Sequence, residues 1–401
     1  MRLIDEAALA RVRAAFEDNF VRGAELGASL AVWQDGVEVL RLHGGWREAT
    51  RKDPWTDDTM VFAWSATKGP SSACALHALQ ESGIPPDAAV SSIWPEFGSA
   101  GKEQITLADL LSHRAGLAVL DTSGFDIREL EGVAAALAAQ APNWPPGTAH
   151  GYAPRTFGYL LDGLVRRVAG VALDEYWRDI FAGPLGLDFW IGLPAEHHPR
   201  VAPMQAAPVH SLKPPGPFER MLADKSSLTA RSFAQPTGLV GAAATNRPEI
   251  WSASLPSLGG IGTASSLAKF YDRLAAGEFF HGPWAQALTT RHSDGPDLVL
   301  RQPTAFSAGF MMDPLDENGQ KLRLLFGPSL SAFGHPGAGG SLAFADPQNR
   351  IGFAYLMNRM ENGVLREERP MRLVRALYGL EGGSEQGTTG GSGTTKVDNL
   401  C

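Results

Sequence analysis

The spacing of apolar residues divides the chain into stretches of different period. Near the start, Leu9, Val12, Phe16 and Phe20 recur at helical intervals behind Asp5, a residue suited to capping, which predicts a first helix. The period then drops to two. Ser29 to Trp33 reads as a strand and Gln34-Asp35-Gly36 as a turn. On the return, Val37, Val39 and Arg41 alternate with Glu38, Leu40 and Leu42, which predicts an antiparallel hairpin. An opening of helix, strand, strand, with no parallel crossover, argues against a doubly wound sheet.

Residues from about 75 to 190 carry mainly helical patterning. Thr106 and Asp109 have capping-box spacing before Leu110-Leu111, with Gly116 as the expected stop. Glu129 to Ala139 and Gly158 to Val168 read as further helices. Strand patterning returns around Lys321 to Phe326, Ser341 to Asp346 and Ile351 to Met357. The expected fold class is therefore α/β of the α+β type: an antiparallel sheet built from both chain ends and flanked by helices. Residues 1–74 and 245–380 would form this sheet domain, and 75–244 a mainly helical insertion. Within the insertion and just beyond it, Pro194 to Leu258 is proline-rich and aperiodic, which suits a wall or lid over a site. The Gly/Ser/Thr-rich residues 381–401 read as a flexible tail.

Composition narrows the partners. A net charge of −8, with no basic cluster, argues against nucleic acid. No apolar run reaches the ~18 residues of a membrane span, and the first residues are too polar for a secretion signal. Two cysteines, Cys74 and Cys401, do not make a disulfide framework, so a cytoplasmic location is expected. No cofactor or metal is expected either. The glycine clusters at 259–262 and 337–340 lack the dinucleotide fingerprint, and His197-His198 are adjacent rather than four apart.

The candidate chemistry lies in Trp64-Ser65-Ala66-Thr67-Lys68. Residues three apart on a helix share a face, so hydroxyl and ammonium can touch. A buried lysine sheds its proton, and a neutral amine can activate a serine. Ser-x-x-Lys occurs three times, and context separates the copies. Ser99/Lys102 sits in a glycine-punctuated loop. Ser266/Lys269 is expected on the solvated side of a helix whose apolar stripe is Leu267, Phe270, Tyr271 and Leu274. At Ser65 the face continues inward through Ser72, Leu76 and Leu79, which points Lys68 into the protein. Pro70 is expected to loosen the first turn.

Several stretches together resemble one family: Ser65-Ala66-Thr67-Lys68, Leu110 to Leu117, Pro146-Gly147 leading to Tyr152, Pro184 to Leu187, Gly262 to Phe270 and Phe333 to Ser341. The chain resembles the serine β-lactamase and penicillin-binding-protein superfamily in its class C-like branch, most nearly the family VIII carboxylesterases. The resemblance implies Ser65 as nucleophile, Lys68 as its proton acceptor and Tyr152 as proton shuttle, a tyrosine that works as a base only if nearby positive charge lowers its pKa. It implies an oxyanion hole from the backbone N–H groups of Ser65 and Ala338. His335 and Gly337 then stand at the family's Lys-Thr-Gly motif, His335 in a supporting role and Gly337 keeping the strand bare for substrate. Trp64 and Trp144 are candidates to line an apolar acyl pocket.

Two departures bear on activity. Tyr152-Ala153-Pro154 lacks the third-place asparagine, and His335 replaces the lysine. A carboxylate-bearing β-lactam loses two anchors of ~1–3 kcal/mol each, whereas a neutral ester loses much less. The expectation is hydrolysis of small, short-chain esters through an acyl-Ser65 intermediate. The alternatives are a β-lactamase, a D-amino-acid peptidase or amidase, an acyltransferase, or a catalytically silent binding protein.

Overall fold

The computed structural model describes residues 4–207, 215–361, 365 and 368–380. The expected tail at 381–401 and part of the 194–258 stretch lie outside these residues. The first helix, α1 (Glu6–Val21), starts at Asp5, whose Oδ1 accepts the Ala8 N–H at 2.8 Å. Strands β1 (Gly27–Gln34) and β2 (Val37–Gly45) follow as an antiparallel pair. Asp35 and Gly36 both have positive φ, 50° and 82°, the geometry that lets two residues join twisted strands.

The main sheet has eight strands in the order β2-β1-β12-β11-β10-β9-β8-β7. Its later members are β7 (Ser293–Pro296), β8 (Pro303–Phe306), β9 (Met311–Met312), β10 (Phe333–Pro336), β11 (Leu342–Asp346) and β12 (Ile351–Met357). Neighbours pair antiparallel throughout. β1 from one chain end lies directly against β12 from the other, with Ala31 opposite Ala354. The helix Ala264–Ala275 packs on β12, β11 and β1, and α1 packs on the last helix, Glu368–Tyr378. β11 and β12 are buried along their whole length, as strands covered on both faces must be.

The structure corrects the expected strand at Lys321 to Phe326. The fully buried Asp313 carboxylate accepts the Leu325 and Phe326 N–H groups, each at 3.1 Å, and Lys321 Nζ at 3.1 Å. Those backbone donors are taken by a side chain, so the segment is a loop. Conversely, a small second sheet had no sequence signal. It runs β4-β6-β3-β5, from β3 (Met60–Phe62), β4 (Phe189–Ile191), β5 (Val201–Ala202) and β6 (Gly260–Gly262). At two or three residues each, these strands are too short to show a period. Between β3 and β4 the chain is mainly helical, with α2 (Lys68–Glu81), α3 (Leu107–Leu111), α4 (Leu130–Ala139) and α5 (Thr156–Ala169). The Thr106/Asp109 capping box forms, but α3 ends at Leu111, five residues short of the expected stop at Gly116.

Candidate active site

β3 delivers the chain to a 3₁₀ turn, Trp64–Thr67, and α2 begins at Lys68. Pro70 therefore falls in the first helical turn, where its missing N–H is one of the groups a helix leaves unpaired anyway, so it does not break the helix. Trp64 has φ 52°, a conformation unfavourable for a bulky residue, and it turns the chain so that Ser65 meets a cavity. Gly337 lies just beyond β10. A Cβ there would fall 2.3 Å from the Ala63 carbonyl oxygen, so the bare backbone serves close packing against the turn that carries Ser65.

Lys68 is fully buried. Its Nζ lies 3.3 Å from Ser65 Oγ and 2.8 Å from each of two carbonyl oxygens, those of Pro154 and Ser257. Burial holds its pKa well below the usual lysine range, and no carboxylate offsets that. A neutral amine has two N–H bonds and one lone pair. In that form the two carbonyls take the hydrogens and the lone pair is left for the Ser65 hydroxyl. The Ser257 carbonyl is set in turn by its own side chain: Ser257 Oγ donates to Arg155 O and accepts the Gly158 N–H, both at 2.6 Å.

Tyr152 sits across from this pair, its ring centroid 5.0 Å from Lys68 Nζ. Burial raises its pKa, a hydrogen bond with Ser65 opposes the shift, and Asp297 adds to it. The phenol is therefore protonated at neutral pH, so Tyr152 suits a proton donor better than the tyrosinate base that a lowered pKa would have given. Two groups without a sequence signal fix it. The buried Asp297 carboxylate accepts the Tyr152 N–H at 3.1 and 3.2 Å, and His113 Nδ1 accepts the Ala153 N–H at 3.2 Å. His113 also packs its ring against Phe157 and Phe306, both at 4.4 Å. It lies within the stretch Leu110 to Leu117, but nothing in its spacing marks this contact.

His335 is buried 5.7 Å from the Tyr152 ring, centroid to centroid. Its Nδ1 contacts the Pro336 carbonyl at 2.7 Å, which assigns the hydrogen to Nδ1. Burial and Lys68 push its pKa down to about 3, so it is neutral and cannot replace a lysine as a carboxylate anchor. Among the described residues no carbonyl or side chain accepts the backbone N–H of Ser65 or of Ala338. Both residues line the same small cavity, of about 40 Å³, with Tyr152, His335 and Phe233 among its other walls. Phe233, from the proline-rich stretch, also borders an open cleft of about 700 Å³ that includes Trp64.

The structure does not bring Trp144 to the cavity. Its Nε1 donates to Ala149 O at 3.2 Å and its ring covers Gly151, so it braces the turn before Tyr152. The other Ser-x-x-Lys pairs also resolve differently. Lys102 is buried against the Ser99 and Gln140 carbonyls. Ser266, expected in solvent, is buried and accepts the Asp188 N–H at 2.8 Å, because Asp188 covers that end of the helix. Lys269 Nζ donates to Leu185 O at 2.7 Å. Neither lysine reaches its serine's hydroxyl. Among the described residues, no group of three or more His, Cys, Asp or Glu is placed to hold a metal, and no helix is long and apolar enough to cross a membrane.

A buried amine at the start of a helix, beside a serine on the 3₁₀ turn that leads into it and bordered by an antiparallel sheet from both chain ends, is the arrangement of a serine hydrolase of the β-lactamase-like fold. Residues 12–378 match the Beta-lactamase family, and the chain belongs to that family. It is 31% identical over 349 residues to the Esterase/beta-lactamase LipL of Mycobacterium tuberculosis, covering 83% of this chain and 77% of that protein. Among solved structures it is similar to a family VIII carboxylesterase, with 33% identity, a TM-score of 0.81, and 94% of this chain and 99% of that one covered. It is equally similar to a penicillin-binding-protein homologue from Caulobacter crescentus, with 34% identity, a TM-score of 0.81, and 95% and 99% covered.

Proposed function

We propose that the protein is a serine carboxylesterase acting on small, short-chain esters. The observation that carries this reading is the buried Lys68 amine, 3.3 Å from Ser65 Oγ with two carbonyls already taking its hydrogens. The names of the similar proteins, an esterase/β-lactamase and a family VIII carboxylesterase, support it. In this reading the insertion 75–244 supplies Tyr152 and the outer wall. The sheet part, 1–74 with 245–380, supplies Ser65, Lys68 and the His335 to Ala338 edge.

As Ser65 Oγ attacks the ester carbonyl, its proton passes to Lys68 Nζ. The carbonyl oxygen becomes an oxyanion facing the Ser65 and Ala338 N–H groups. The tetrahedral adduct collapses with the C–O bond to the alcohol breaking. Tyr152 gives its proton to the departing alkoxide and is reprotonated by the neighbouring Lys68 ammonium, which leaves Lys68 neutral. Water then attacks the acyl-Ser65 carbonyl, passes its proton to the Tyr152–Lys68 pair, and the acid leaves as Ser65 recovers its hydrogen. A neutral His335 leaves an anionic substrate without a cationic anchor at that position, which favours esters over carboxylate-bearing β-lactams.

p-Nitrophenyl acetate and butyrate assayed beside a chromogenic cephalosporin test this. The esters should be turned over with a pre-steady-state burst that Ser65→Ala abolishes and Ser266→Ala leaves in place. Faster turnover of the cephalosporin than of either ester would move the reading to the β-lactamase alternative.

A further inference from the structure

Away from Ser65, the interior holds a cluster of charge that the mechanism above does not use. Arg369, in the first turn of the helix Glu368–Tyr378, is 2% exposed and its partner Glu25 is fully buried. Arg369 Nη1 donates to Glu25 Oε2 at 2.6 Å and to Ala24 O at 3.2 Å. Nη2 donates to Arg359 O at 2.6 Å and to Gly339 O at 3.2 Å. Nε lies 3.4 Å from Glu361 Oε2, and Tyr355 donates its hydroxyl to the other Glu25 oxygen. One guanidinium thus joins the α1–β1 connection, the segment after β12, the last helix and the loop after β10.

Stability alone is a weak reason for such a cluster, because replacing a buried ion pair with well-packed apolar groups is often neutral or favourable. Among the backbone contacts an apolar replacement would lose, with those to Ala24 O and Arg359 O, the one that reaches the site is to Gly339. That residue follows Ala338 in the turn Gly337 to Ser341. The turn closes on itself through Gly337 N–H to Ser341 O at 2.6 Å and Gly340 N–H to Gly337 O at 3.2 Å. Its tip is held in conformations that suit glycine, with φ 82° at Gly339 and 120° at Gly340. From outside, the tip carbonyl Gly339 O is gripped by Arg369 Nη2 and by the Glu361 N–H at 2.9 Å. Arg369 also sets the second grip, since its contacts with Arg359 O and Glu361 bracket that strand of chain.

We propose that Arg369 is a positioning residue for the oxyanion hole: by holding the Gly339 carbonyl it aims the Ala338 N–H at the ester oxygen. This rests on the proposed role of Ala338. Loss of the grip lets the turn relax and moves a donor that matters most once the carbonyl oxygen carries charge. The effect should fall on kcat and leave KM nearly unchanged. Removing an oxyanion donor outright lowers kcat by roughly 10²–10³, so displacing one should lower it by about 10- to 100-fold.

The test uses Arg369→Lys, which keeps the charge beside Glu25 but cannot also span Gly339 O and Arg359 O. A paired variant, Glu25→Gln with Arg369→Met, leaves no unpaired Glu25 charge should the single variant fail to fold. Arg372→Met, on the same helix, is the control. Each is assayed on an ester and its thionoester, whose C=S accepts hydrogen bonds poorly and gains less from the hole. A positioning role predicts a 10- to 100-fold loss of kcat on the ester at unchanged KM. It also predicts a smaller loss on the thionoester, so that the ester-to-thionoester rate ratio falls while Arg372→Met keeps the parental ratio. A folded variant with unchanged kcat, or with both substrates slowed equally, overturns the proposal. Activity surviving in Ser65→Ala, run alongside, would instead overturn the esterase reading itself.

Discussion

Asp272 offers a measurement in which the structure sets both sign and size. It lies on the helix Ala264–Ala275 with its side chain 1% exposed. Oδ2 accepts the Gly36 N–H from the β1–β2 turn at 3.1 Å, and Oδ1 is buried without a partner. Arg273 stands beside it, but its Nε is 3.9 Å away and its Nη1 bonds Glu278 at 2.7 Å. Burial pushes the Asp272 pKa up to about 6, with Gly36 and Arg273 opposing and Glu278 and Asp35 adding. The folded state therefore holds the proton to higher pH than the unfolded chain, where an aspartate ionises near pH 4. Below about pH 4 both states are protonated and the group costs nothing. As pH rises from 4 to 6 stability is lost, and above about 6 the loss is complete. Two pH units at ~1.4 kcal/mol each give an upper bound of ~3 kcal/mol. Asp272→Asn keeps the acceptor for Gly36 but buries an unpaired amide, at ~1 kcal/mol. The variant should gain about 2 kcal/mol at pH 8 and lose the gain by pH 4, read as the difference between urea unfolding curves. A difference that does not change between pH 4 and 8 would refute the buried-carboxylate argument.

Three further outcomes bear on the site. kcat/KM should fall on a single ionisation as pH drops through the depressed pKa of Lys68, and Lys68→Arg, charged at every pH, should lose about 10³-fold; a flat profile would remove Lys68 as the base. Tyr152→Phe should slow alkyl esters by about 10²-fold or more and p-nitrophenyl esters far less, because p-nitrophenolate leaves without a proton; equal losses would deny Tyr152 the role of acid. Phe233→Ala should join the small Ser65 cavity to the open cleft and raise the rate on p-nitrophenyl octanoate relative to acetate by about 10-fold, as steady-state kcat/KM ratios would report; an unchanged ratio means that Phe233 does not limit substrate length.

How much of this could be read from residues alone depended on how far each feature spreads along the chain. The β1–β2 hairpin and the late strands β11 and β12 were legible because several residues each keep a strand pattern. Strands β3 to β6 were not, since two or three residues carry no pattern. Lys321 to Phe326 looked like a strand because its apolar residues fit, and a carboxylate eight residues away, Asp313, took the donors that pairing would have used. At the site, Ser65 and Lys68 stood out because one helical stripe runs from hydroxyl to core. What tunes them did not: the Pro154 and Ser257 carbonyls are backbone atoms brought in by folding. Asp297 reaches Tyr152 from 145 residues away, and Arg369 reaches the Gly339 turn from 30 residues further along the chain.

The seam where β1 meets β12 dictates an order of assembly. Ser65 and Lys68 leave the ribosome early, but the β10 edge beside them (Phe333–Pro336) and the β12 strand that joins the first hairpin to the rest of the sheet (Ile351–Met357) are translated much later. Until then β1 carries an open row of hydrogen-bonding groups, the kind of edge that recruits other chains. A nascent chain stalled before β12 is therefore expected to be inactive and prone to aggregation, and fusing the two ends in a circular permutant would test whether bringing β1 and β12 together sooner relieves that exposure.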